Sequence, residues 1–124
     1  MNRLERAILR RALEARRTGG SPGELALRVN ALSMMPAEYE RLLGAIGDSL
    51  AQYPGVERVE IRRQERALVL HYDGTRADER DLLTWYEALR DRAIREMETT
   101  DPAHVTREDI LRVGRETLSA LGKG

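Results

Sequence analysis

The chain of 124 residues contains no cysteine. Disulfides, thiolate metal centres and cysteine nucleophiles are therefore excluded, and the absence fits a reducing compartment, the cytoplasm. Phenylalanine is also missing, and the aromatic set is one tryptophan and four tyrosines. That is little material for base-stacking platforms. There is no excess charge of either sign, since 21 basic side chains balance 21 acidic ones; this is a poor composition for a nucleic-acid binder. No apolar run nears the roughly 18 residues of a membrane span, and the N-terminus lacks the apolar centre of a signal peptide. A chain of this length reads as one domain, with a core large enough to stand without metal or disulfide support.

The balanced charge is unevenly spread. Residues 1–17 carry six arginines (Arg3, Arg6, Arg10, Arg11, Arg16, Arg17) against Glu5 and Glu14, a net +4, so the remainder carries −4. Leu4, Ile8, Leu9, Ala12 and Leu13 recur at helical spacing between those arginines, which predicts a basic amphipathic helix over residues 2–17. Thr18-Gly-Gly-Ser-Pro-Gly23 then reads as a break and linker. Leu25, Leu27, Val29 and Ala31 alternate with Ala26, Arg28 and Asn30, which predicts a strand. Pro36 suits the first position of a following helix, whose inward side is Tyr39, Leu42, Leu43, Ile46 and Leu50.

Beyond Pro54-Gly55 the runs Val56–Arg63 and Ala67–Tyr72 alternate and read as a hairpin. A long helix follows from about Ala77 to Glu98, and a last one is capped by Thr106. The expected fold is α+β: a ferredoxin-like β-α-β-β-α core with a three-stranded antiparallel sheet and terminal helices. The fourth strand of such a unit is not evident. The expected division is a basic helix at 1–18, a linker at 19–23, the core at 24–100 and a C-terminal helix at 101–124. If both core helices cover one sheet face, the other is half apolar, and the terminal helices are the expected cover.

Two stretches carry a family resemblance. Leu27-Arg-Val-Asn-Ala-Leu-Ser-Met-Met-Pro-Ala37 aligns with a strand entering a Met-x-Cys-x-x-Cys loop. Tyr53-Pro-Gly-Val-Glu-Arg-Val-Glu-Ile61, with Leu68, Leu70 and Tyr72-Asp73, looks like the hairpin that accompanies that loop. On these residues the chain resembles the heavy-metal-associated domain (HMA-like), the fold of small copper chaperones. The resemblance implies the ferredoxin-like scaffold, but the family's ligand set does not carry over: Leu32 stands at its methionine, and Met34 and Ala37 stand at its two cysteines. The scaffold is then one turned to another use.

The expected function is a non-catalytic protein-interaction or adaptor module acting through a protein partner, self-association into a homo-oligomer included, with no nucleic acid and no cofactor. The expected contact residues are Leu32, Met34, Met35 and Tyr39, since exposed methionines suit adaptable surfaces. Arg3, Arg6 and Arg10 form a second surface. Two other readings stay open. Met34 and Met35 with His71 offer thioether and imidazole ligands for Cu(I), and the basic helix offers a peripheral contact with an acidic membrane. No set of residues names a reaction, so no enzyme is expected.

Overall fold

Alternating strands and capped helices assemble into an α+β fold. The structure, a computed structural model, describes residues 2–30 and 40–123. In chain order its elements are α1 (Arg3–Ala12), β1 (Ala15–Ser21), β2 (Glu24–Val29), α2 (Glu40–Leu50), β3 (Val56–Arg62), β4 (Ala67–Tyr72), α3 (Glu79–Thr99), a turn of 3-10 helix (Pro102–His104) and α4 (Arg107–Ala120). The four strands form one antiparallel sheet in the order β1-β2-β4-β3.

The pleat sorts the strand residues. Leu25, Leu27 and Val29 of β2 and Leu68, Leu70 and Tyr72 of β4 face the helices and are buried. Both edge strands carry a bulge, with Thr18 the extra residue in β1 and Glu57 in β3. The β3 bulge lets Val56 and Val59, three residues apart, both pack against the core, and bulged edges discourage pairing with other chains. Helix α3 closes the core with Leu82, Trp85, Tyr86, Leu89, Ala93, Ile94 and Met97. Trp85 Nε1 donates to the Leu50 carbonyl at 3.1 Å and its ring lies 5.7 Å from that of Tyr53, so the indole is both buried and satisfied.

Three expectations need correction. Residues 13–17 do not continue α1, and residues 18–21 are not a linker: Ala15–Ser21 is strand β1, paired with β2 from Ala15↔Val29 to Ser21↔Glu24. The sheet accordingly has four strands, not three. The physical reason is the free edge of β2. Its backbone groups need partners beside a buried apolar strand, and that tertiary demand overrides the helical leaning of an arginine-rich segment. Pro22-Gly23 makes the corner. Gly23 takes φ +85°, which a side chain disfavours, and its carbonyl accepts from Tyr72 N at 2.9 Å.

The third correction concerns the terminal helices, which lie on the helical side of the sheet. α4 packs on α2 and α3, and α1 touches α3. On the opposite sheet face Ala67 and Val69 are buried as well.

α4 is fixed by polar contacts as well as apolar ones. Thr106 and Asp109 form a capping box at its start. Ser49 Oγ donates to the Ile110 carbonyl at 3.1 Å, Arg41 Nη1 and Nη2 donate to the carbonyls of Val105 and Ala103, and Arg107 pairs with Asp48 at 3.0 Å. Gly114 is the crossing point of α4 over α2. A Cβ there would lie 1.9 Å from Ser49 Oγ and 2.7 Å from Gln52 Oε1.

Gly114→Ala gains about 1 kcal/mol of helix propensity, but it drives Ser49 from its buried hydrogen bond or the helices apart, at about 1–3 kcal/mol. The expected result is a net loss of about 1 kcal/mol in urea unfolding, largely relieved when Ser49→Ala is introduced in the same chain. An unchanged midpoint for Gly114→Ala alone would show that the helices do not meet at this residue.

Candidate functional site

Two surfaces stand out. The first is the outer side of α1. Asn2 caps the helix, its Oδ1 accepting from Glu5 N at 2.8 Å, and Arg10 and Arg11 sit in the last turn where the helix dipole favours positive charge. Its inner end is pinned: Ala12 and Leu13 are buried, and the Tyr86 hydroxyl donates to the Leu13 carbonyl at 2.6 Å. Burial drives the Tyr86 pKa upward, so the phenol stays protonated as this donor. Asn30 Nδ2 donates to the Arg11 carbonyl at 3.1 Å, and Arg6 pairs with Glu98 at 2.9 Å.

The outer side of the same helix keeps Leu4 69 % and Ile8 55 % exposed, one turn apart. Arg3 and Arg10 are exposed beside them, with no ion-pair partner among the described residues. The three arginines expected at a contact surface thus divide: Arg6 is spent on Glu98, while Arg3 and Arg10 flank the apolar pair. Leu32, Met34, Met35 and Tyr39 lie outside the described residues. Leu4 and Ile8 belong to the one apolar stripe expected from the sequence. At about 100° per residue, the arc from Leu4 through Ile8, Ala12 and Leu9 to Leu13 covers about 180°. That is too wide to bury against one neighbour, and this was the signal for the outward pair.

The second surface is the open face of the sheet. Cross-strand register arranges it in three rows. The first is Arg16, Arg28, Ala67 and Arg62. The second is Gly19, Ala26, Val69 and Glu60. The third is Ser21, Glu24, His71 and Arg58. Glu60 is the hub. Its carboxylate accepts from Arg62 Nε at 2.8 Å and Nη2 at 3.2 Å, and from His71 Nε2 at 2.9 Å, with Arg58 Nη1 at 3.5 Å. Since a carboxylate only accepts, the proton of that contact sits on His71 Nε2. Nδ1 of the same ring lies 3.4 Å from Glu24.

This placement bears on the metal reading. Both nitrogens of His71 are turned to carboxylates, and no group of three or more His, Cys, Asp or Glu among the described residues is arranged to hold an ion. Asp73, two residues along, instead accepts from the backbone and hydroxyl of Thr75 at 2.9 and 2.7 Å. No described helix is long and apolar enough to cross a membrane. A cleft of about 280 Å³ between α3 and α4 is lined by Arg92, Arg95, Glu96, Thr99, Val113 and Glu116. It is open, and Glu96 and Glu116 both hold Arg112. Compared with known proteins, the chain matches no family model, no curated protein and no solved structure.

The hub has a pH signature. Hydrogen bonds from Arg62, then from His71, hold the Glu60 carboxyl at about 2, below its ordinary 4.5. A depressed carboxyl stabilises the fold above its unfolded value, and that contribution fades as pH falls through the folded value. The stability advantage of the wild type over Glu60→Gln is therefore expected to be full above about pH 4.5 and to shrink towards pH 2. Urea midpoints measured across that range check it, and a constant difference would count against the hub.

Proposed function

We propose that the chain is a non-catalytic interaction module that binds a protein partner, first of all a second copy of itself, through the outward stripe of α1. The exposure of Leu4 and Ile8 on a helix anchored from behind carries this reading. A helix held by Leu13, Tyr86 and Arg6 presents its outer side without having to be ordered on binding. An apolar pair one turn apart is the anchor pattern by which a helix enters a groove. Leu32, Met34, Met35 and Tyr39 are proposed as the second part of the contact, with Arg3 and Arg10 at its rim.

The scaffold supports this reading too. β2 and β3 run parallel with antiparallel β4 between them, joined through α2, which makes a split β-α-β unit. β4 leads into α3. β1, parallel to β4 and beyond β2, occupies the position that the closing strand of a second such unit would take. This order suits a ferredoxin-like sandwich whose fourth strand comes from the N-terminal side, and with it a heavy-metal-associated scaffold without its thiolates.

The energetics set the scale. Leu4 and Ile8 are already partly covered, so burying the remainder contributes about 1–2 kcal/mol per side chain. A two-fold interface counts each twice, giving about 4–8 kcal/mol against an association cost of about 4–15 kcal/mol. Self-association through α1 alone is therefore weak and concentration-dependent.

Light scattering over a concentration series is expected to show the mass rising from monomer towards dimer. Leu4→Ser with Ile8→Ser abolishes the rise while circular dichroism stays unchanged, and Met34→Ser with Met35→Ser weakens it. A strict monomer at every concentration, or a dimer untouched by the Leu4/Ile8 pair, contradicts the proposal. Sedimentation of a monomeric wild type with acidic vesicles would favour the membrane reading instead.

A further inference from the structure

The three arginines nearest the β1–β2 ladder have different fates. The pleat sends Arg17 to the helical side, where Glu79 receives its Nε at 2.7 Å and its Nη2 at 3.0 Å. It sends Arg16 to the open side, directly across from Arg28. On that face Arg58 and Arg62 are gathered by Glu60, and Glu24 lies against His71. Arg16 and Arg28 are both exposed and have no ion-pair partner among the described residues.

Like charges directly opposite on a ladder, with Cβ atoms about 5 Å apart, destabilise a sheet. The chain as a whole has a carboxylate for every cation, so this unneutralised pair is a local arrangement and not an overflow. Its neighbours on the face are Gly19, Ala26 and Ala67; none carries a polar side chain, Gly19 and Ala26 are half-buried and Ala67 is buried.

We infer that Arg16 and Arg28 form a binding site for a phosphoryl group on the open face of the sheet. Each guanidinium is a planar fork that matches two oxygens of an oxyanion. Two forks on adjacent strands of a rigid ladder converge on one tetrahedral dianion and exchange their mutual repulsion for two charge-assisted pairs. A single dianion is the ligand that fits, because the rest of the face is already paired. The second and third rows hold Glu60 and Glu24, which would repel a chain of further phosphates.

The test uses the full chain with inorganic phosphate, with a short phosphoserine peptide and with its unphosphorylated twin, all at one ionic strength set with chloride. Phosphate is expected to shift the amide signals of Arg16, Gly19, Ala26 and Arg28. The phosphoserine peptide, but not its twin, competes for the same signals. If the peptide binds more tightly than free phosphate, the phosphoryl group comes on a protein segment; if it binds no more tightly, a small phosphorylated molecule is the source. Arg16→Gln with Arg28→Gln is expected to lower either affinity about tenfold or more. At low salt Arg28→Gln alone is expected to melt no lower than the wild type, because it relieves repulsion. Absence of any phosphate-dependent shift, equal binding by the double variant, or a clear drop in the melting point of Arg28→Gln would each overturn the assignment.

Discussion

The rest of the structure depends on the two-sided pairing of β2. Its inward residues Leu25, Leu27 and Val29 are fully buried, and a slip of one residue would turn all three outward. β4 fixes the register on one side and β1 on the other. The Pro22-Gly23 corner locks both, because the Gly23 carbonyl also receives Tyr72 N from β4. Once β1 is committed to the sheet, its N-terminal half is tied to α3. Glu79 takes Arg17 at the start of α3, and Tyr86 takes the Leu13 carbonyl just before β1 begins. The placement of α1 follows from those attachments.

Much of the fold was legible because the local signals agreed with the tertiary outcome. The β3–β4 hairpin, the long α3 and the Thr106-capped α4 all have periodicity, caps and breaks that point one way. β1 was not legible. Ala15-Arg-Arg-Thr-Gly-Gly-Ser21 has two glycines and no apolar alternation, so its strand character comes from the edge of β2 and not from its own side chains. The same gap hid the Arg16–Arg28 pair, which exists only after β1 has folded back. The side on which the terminal helices pack was also beyond sequence, because an amphipathic stripe says that a face is covered but not by what. Leu4 and Ile8 were visible as apolar residues. Only the width of their arc separated them from the anchored Leu9, Ala12 and Leu13.

Charge in this chain does positional work. Ion pairs join elements distant in sequence: Arg6 to Glu98, Arg17 to Glu79, Arg107 to Asp48 and Arg112 to Glu96. Exposed pairs of this kind each add little stability, but together they fix how α1 and α4 lie on the body. Of the arginines without an ion-pair partner among the described residues, Arg3 and Arg10 lie on the outer side of α1 and Arg16 and Arg28 in one row of the open sheet face. A neutral composition therefore hides two basic surfaces. One is built around exposed apolar side chains and suits a protein contact. The other is built around small side chains and suits an oxyanion.

The central claim is that the arginine-rich N-terminal segment is divided between a presented helix and a strand of the sheet. Amide hydrogen exchange residue by residue tests it most directly. The account predicts that the β1 amides bonded to β2 exchange with protection approaching that of β2 itself, while the outer turn of α1 exchanges faster. Exchange of residues 15–21 at the rate of unstructured chain, with β2 protected only on its β4 side, would contradict it.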